Sequence, residues 1–207
     1  MKSNLTRREA LQQVAWLMGG ALSAPAILGI LNGCSAKPDS DWKPAFLTKG
    51  QGAVVAEVAE IMIPRTDTPG AIDVGIPAFI DTMLKDTYAT QDQQRFIAGL
   101  AEFEAQSQRE HGRAFLKLEP AQRAALVQSV HDAAAAAELQ LSLSPGQLNR
   151  PFILMTKELT LLGFFTSEAG ATQVLQYDPV PGAFRACLPV SQAGNGKTWA
   201  EETSRLF

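Results

Sequence analysis

FILMTKELTLLGFF, residues 152–165, is apolar around nearly its whole circumference and is interrupted mainly by Lys157 and Glu158. A helix of that composition has no wet face, so it is either the central rod of a helical core or it lies against a partner. Pro151 stands immediately ahead of it, where a proline restarts or kinks a helix, and Ser144-Pro145 further upstream reads as a cap and first-turn pair.

Working outward, the remaining segments show helical periodicity. Between Gln51 and Met62, the apolar residues Val54, Val55, Val58, Ile61 and Met62 recur at three- and four-residue spacings, with Glu57 and Glu60 on the other side. This helix must stop at Ile63-Pro64. Arg65-Thr66-Asp67-Thr68-Pro69-Gly70 then crowds turn-formers together, with Pro-Gly suited to the centre of a type II turn and Asp67 to bonding its own loop. Pro77 fits the first position of a second helix carrying Phe79, Ile80, Met83, Leu84 and Tyr88 to about Ala89. Thr90-x-x-Gln93 has the form of a capping box for a third, through Phe96, Leu100 and Phe103 to His111, with Gly112 as its stop. Pro120 opens a fourth, to about Leu139, whose Leu126, Val127 and Val130 face inward. After about Val174 the pattern dissolves, and Pro179, Pro181 and Pro189 rule out regular structure. No strand alternation persists and no internal repeat is found. The expected fold is therefore all-α, a compact orthogonal bundle of about five to six helices with an irregular proline-rich C-terminal tail.

At the N-terminus, charged residues stop at Glu9 and resume only at Lys37. The apolar run from Val14 to Leu31 reaches the lower edge of the roughly 17 to 25 residues that span a bilayer. Gly19, Gly20, Pro25 and Gly29 keep it mildly hydrophobic, as expected of an export signal rather than a permanent span. Ahead of it, Thr6-Arg7-Arg8-Glu9-Ala10-Leu11 follows the Ser/Thr-Arg-Arg-x-x-Leu pattern of a twin-arginine signal, with Arg7, Arg8 and Leu11 as its determinants. That route carries proteins already folded, often with a cofactor or partner in place. Leu31-Asn32-Gly33-Cys34 looks like a lipobox, which would make Cys34 the acylated first residue of a membrane-attached periplasmic protein, although Asn32 is unusual there. Ala24-Pro25-Ala26 is a rival cleavage site, and an uncleaved anchor is the third alternative. The resulting division is a signal over 1–34, a linker over 35–50 and a helical domain over 51–207.

The formal charge is −3; with Lys2, Arg7, Arg8 and Glu9 removed, 15 basic and 20 acidic residues remain of 18 and 21, a net charge near −5. Such a surface repels phosphate backbones, and no basic stripe interleaved with aromatics is present, so nucleic acid is excluded as a partner. His111 and His131 lack neighbours at metal-ligand spacing and read as surface or cap histidines, so no metal site is expected. Cys34 and Cys187 form no CxxC pair. There is no GxGxxG after a strand and no GxSxG elbow. Glu102, Glu104, Arg109 and Glu110 read as a solvated helix face. No catalytic residue is assigned. If Cys34 is lipidated, Cys187 is the one thiol left, either a buried inert residue or a free or intermolecularly paired one.

Three stretches carry a resemblance: Ala59-Glu60-Ile61-Met62-Ile63-Pro64-Arg65-Thr66-Asp67-Thr68-Pro69-Gly70-Ala71, Gly163-Phe164-Phe165-Thr166-Ser167-Glu168-Ala169-Gly170-Ala171, and Tyr177-Asp178-Pro179-Val180-Pro181-Gly182-Ala183-Phe184. They resemble the IIPxTDTPGA, GYYTSExGA and YxxxPGxY segments of the gluconate 2-dehydrogenase subunit 3 family, in order, over about residues 50–189. Phe164 and Phe165 stand where the family often has tyrosine. The resemblance implies an accessory subunit without cofactors of its own. It would bind a glucose-methanol-choline-type flavoprotein that holds FAD and oxidises a sugar or sugar acid, and it would supply that partner's twin-arginine signal to the translocase. A multihaem cytochrome c subunit often completes such complexes. On this reading Asp67, Pro69, Gly70, Phe164, Phe165, Ser167, Glu168, Tyr177, Pro181 and Gly182 form the partner surface, or else only shape turns within the subunit, and Cys187 is placed for an intersubunit disulfide. The competing reading is a free-standing periplasmic lipoprotein acting as a binding or scaffold protein.

Overall fold

The first helix, α1 (Lys49–Met62), begins where Thr48 and Gln51 cap each other: the Thr48 hydroxyl accepts the Gln51 N–H, and the Gln51 side chain accepts the Thr48 N–H at 2.9 Å. Val54, Val55, Val58 and Ala59 are its buried face, as the spacing predicts. In this computed structural model the described residues are 42–141, 150–178, 187, 189, 191–192 and 196–200, with side chains described only to 137 in the fourth helix. The expectations for Arg7, Arg8, Leu11, Cys34, Ser144-Pro145, Pro181 and Gly182 lie outside the described residues.

Four more helices follow: α2 (Ile76–Asp86), α3 (Thr90–His111), α4 (Pro120–Leu141) and α5 (Phe152–Thr166), with a 3₁₀ turn at Phe115–Lys117 and a π-helical turn at Gly170–Val174. No helix among the described residues is long and apolar enough to cross a membrane. The fold is all-α; the only β-type pairing among the described residues is an isolated parallel bridge between Gln176 and Trp199.

Three local expectations are corrected by the hydrogen bonding. Gly75, in the left-handed region at φ 78°, is the N-cap of α2, so Ile76 rather than Pro77 is its first residue. The helix also closes at Asp86, short of Tyr88. Thr90 is already inside α3, and Gln93 forms no capping box; its amide instead donates to the Leu84 and Lys85 carbonyls at 2.8 and 3.3 Å. It thereby satisfies the open C-terminal carbonyls of the preceding helix, which need a partner as much as an N-terminus does. The predicted stop at Gly112 holds, with φ 67°.

α5 packs against all four other helices. Nine of its residues are buried, from Phe152 through Phe164. Its apolarity is thus matched by neighbours from all four helices, with Leu161 left exposed, and of the two alternatives for this segment the central rod is the one observed. Phe152 joins an aromatic cluster with Phe96 at 5.0 Å and Phe103 at 5.7 Å, and Phe103 in turn meets Phe115 edge-on at 4.9 Å. Gly99 allows this approach, because a Cβ there would lie 2.6 Å from that of Phe152.

Residues 42–48, placed in the linker by the sequence reading, are packed onto the domain. Asp81 on α2 is 1% exposed, and its carboxylate accepts the backbone N–H groups of Ala45 at 2.6 Å, Phe46 at 3.2 Å and Leu47 at 2.8 Å. Three charge-assisted bonds from successive amides hold this strap and compensate a carboxylate that would otherwise be costly to bury. Trp42 and Pro44 lie so close over Gly52 that a Cβ there would sit 3.0 Å from both.

Candidate functional site

The loop between α1 and α2 is organised by three charged residues. Glu60, read from the sequence as a solvated helix residue, turns its carboxylate under the loop and accepts the N–H groups of Arg65 at 3.1 Å and Ile72 at 2.9 Å. Arg65 forms a two-point pair with Asp73, its Nε donating at 2.6 Å and its terminal nitrogen making the second contact. Asp73 also accepts the Gly70 N–H at 2.9 Å. The Arg65 guanidinium, with help from that N–H, holds the Asp73 carboxyl below the usual carboxylate range, and the same bond raises Arg65 further.

Gly70 is needed here for space. It does not have the positive φ that the expected type II turn requires, so that turn is absent. A Cβ on Gly70 would lie 2.4 Å from a Glu60 carboxylate oxygen and 2.7 Å from the Arg65 backbone nitrogen. Asp67 is exposed and accepts from the Thr66 hydroxyl at 3.0 Å, the turn role expected of it. Pro69 is half-buried and Gly70 buried, leaving Pro64–Asp67 and Ile72 as the outward surface of the loop.

The second motif closes the end of α5. Ser167 accepts the Gly170 N–H at 3.1 Å and donates to the Phe164 carbonyl at 2.6 Å, so its hydroxyl ties the helix end to the π turn. A Cβ on Gly170 would fall 1.9 Å from the Phe164 carbonyl oxygen, which no rearrangement short of moving the backbone could accept. Phe164 is 3% exposed and belongs to the core, Phe165 is half-buried and stacks edge-on against it at 5.4 Å, and Glu168 is exposed. The two motifs lie about a hundred residues apart in sequence, and α2, which follows the first, packs on α5 where the second begins. Ile76, which follows the loop, packs with Phe79 over Gly163, one helical turn before Ser167.

Beyond the π turn the chain doubles back. Gln176 donates to Thr198 and accepts from Ala200, both at 2.8 Å, and Lys197 donates to the Gln173 carbonyl at 2.6 Å. Tyr177 and Trp199 flank this bridge, 54% and 42% exposed. Trp199 was not singled out from the sequence, because nothing local marks a residue more than twenty positions away as a strand partner. Cys187 is exposed at φ 52°, which sets aside the buried, inert alternative.

Among the described residues, no group of three or more His, Cys, Asp or Glu is arranged to hold a metal ion. Glu102 and Arg109 pair at 2.7 Å on an exposed helix face, as read. His131 differs from its reading as a surface or cap residue: it lines a cleft between α1, α4 and α5, with Lys157 Nζ 2.8 Å from its Nε2.

These features define an all-α domain with a carboxylate-braced loop between α1 and α2 and a hydroxyl-tied turn after α5. Residues 49–182 match the family model for gluconate 2-dehydrogenase subunit 3, and the chain belongs to that family. The match starts on the first residue of α1 and runs into the proline-rich tail, spanning both braced motifs. The chain is accordingly a subunit of a dehydrogenase complex. No curated protein and no solved structure matches it.

Proposed function

We propose that this chain is the small, non-catalytic subunit of a periplasmic FAD-dependent sugar or sugar-acid dehydrogenase, that it binds the glucose-methanol-choline-type flavoprotein, and that it carries that partner across the inner membrane on its own twin-arginine signal. The family match over 49–182, behind a leader containing Arg7-Arg8 and Leu11, is the observation that carries this reading. FAD belongs to the partner, haem c to a cytochrome subunit where one is present, and Cys34 attaches the complex to the membrane.

The geometry favours docking at the braced loop. A loop held by Glu60 and the Arg65–Asp73 pair loses little freedom on binding, which is the main way a rigid surface gains affinity. Exposed Ile72, Tyr177 and Trp199 supply apolar anchors of the kind that dominate interfaces. A permanent complex of this type buries on the order of 2,000 Å² or more. The inward residues of the two motifs, Gly70, Phe164, Ser167 and Gly170, act by holding these surfaces in place. Cys187 is accessible for an intersubunit disulfide.

The test is fractionation of cells that lack this chain but keep the flavoprotein, and of cells carrying Arg7→Lys with Arg8→Lys. Both should retain the flavoprotein in the cytoplasm or lose it to degradation. Normal export of active flavoprotein in either strain refutes the proposal.

A further inference from the structure

The cleft between α1, α4 and α5 has a volume of about 380 Å³, within the range of small-ligand pockets. Ile61 and Met62 of α1, Val127 of α4 and Leu161 of α5 form apolar walls, and Gln128, His131 and Lys157 supply the polar contacts. The acidic residues on the surrounding helices whose side chains are described are already engaged. Glu57 pairs with Arg123 at 2.7 Å, Glu158 with Arg150, and Glu60 holds the loop amides. Asp132 accepts from Gln128 at 2.8 Å and faces His131 Nδ1 at 3.1 Å, on the opposite side of the imidazole from Lys157.

The proton inventory follows from these distances. An ammonium has donors only, so Lys157 donates to His131 Nε2, which must be unprotonated. With Nε2 accepting, Nδ1 is the ring nitrogen that donates to Asp132. Lys157 is left half-buried, positively charged, with two N–H donors unspent and no carboxylate within ion-pair distance among the described residues. A cation against apolar walls is stabilised by an anion that brings its own apolar body.

We propose that this cleft binds a monocarboxylate with a medium-length aliphatic chain, the carboxylate accepting from Lys157 and the hydrocarbon lying against Met62, Val127 and Leu161. Two oxygens match two free donors, and the His131–Asp132 pair holds the lysine in position. A polyhydroxylated acid does not suit the site, because beyond the Gln128 amide its several hydroxyl groups would face the apolar walls without partners. The ligand is thus of a different class from a sugar acid.

The experiment uses the full-length chain labelled at the methionine methyl groups and titrated with octanoate, followed by NMR. The expected result is a saturable shift of the Met62 methyl, with 1-octanol and gluconate each at least tenfold weaker. Lys157→Met should weaken octanoate at least tenfold, while Lys157→Arg should stay within about threefold of the parent. Ala124→Leu, at the exposed rim, should block the cleft without disturbing the core and serves if Lys157→Met fails to fold. Equal binding of octanoate and 1-octanol, a shift confined to Met18 in the leader, no shift at Met62, or undiminished binding after Ala124→Leu would each overturn the proposal.

Discussion

Glu60, Gly70 and Asp73 show how the role of a residue depends on what its neighbours leave available. Gly70→Ala would drive a methyl group into a carboxylate already fixed by two amides and against the Arg65 nitrogen. The expected cost is about 1–3 kcal/mol, the usual range for overpacking, read as a lowered urea midpoint with an unchanged slope. The Asp73 carboxyl, lowered by Arg65 and the Gly70 N–H, titrates near 3.9 in the unfolded chain. Because the folded value is the lower one, the brace contributes stability above about pH 4 and loses it as the pH falls through the depressed value. The protection of the Gly70 amide against exchange should therefore fall selectively in acid; an Asp73 carboxyl found by NMR to titrate at or above its unfolded value would show that the brace does not form. Thr160 offers the opposite case, a fully buried hydroxyl without a hydrogen-bond partner. Thr160→Val should raise stability by about 1 kcal/mol, whereas Thr156→Val, which removes a 2.8 Å bond to the Phe152 carbonyl, should not.

At the level of elements, α5 decides the architecture. Its apolar periphery could have served a partner, and hydrophobicity alone does not distinguish a neighbour in the same chain from one in another. Packing against α1 to α4 resolves this, with Phe152 at the junction of the aromatic cluster. Phe152→Ala should cost about 3–5 kcal/mol, the range for a buried aromatic truncated to a methyl group. A loss below about 1 kcal/mol in chemical denaturation would mean that the cluster does not anchor α3 to α5. The helix interiors were legible from apolar spacing, and so were the stops at Ile63-Pro64 and Gly112, which follow from local backbone restrictions. The α2–α3 junction was misread because Gln93 reaches back to Leu84 and Lys85, a contact that depends on the turn of the chain rather than on the spacing of a capping box.

On the scale of the whole molecule, the strap over residues 42–48 is the segment through which the leader joins the domain. A chain beginning at residue 42 should retain full stability, while one beginning at residue 49 leaves the Asp81 carboxylate buried without its three amides. An uncompensated buried charge costs about 3–5 kcal/mol. For a domain of this size that corresponds to a fall in Tm on the order of 10 °C. Asp81→Leu in the shorter chain should recover part of the loss, and equal melting of the two truncations would show that the strap is dispensable.

Helix content and the stops at Ile63-Pro64 and Gly112 follow from local chemistry, in the 3.6-residue recurrence of apolar side chains and the fixed geometry of proline and glycine, while the three family motifs were legible by resemblance. Residue order alone was enough to read them. Long-range contacts decided the rest: Glu60 and Asp73 brace the loop, Gly70 and Gly170 are required for space, Trp199 returns to Gln176, and Lys157 faces His131 across 26 residues. A charged side chain looks the same in sequence whether water or a buried amide is its partner, and only the packed chain determines which of the two it meets.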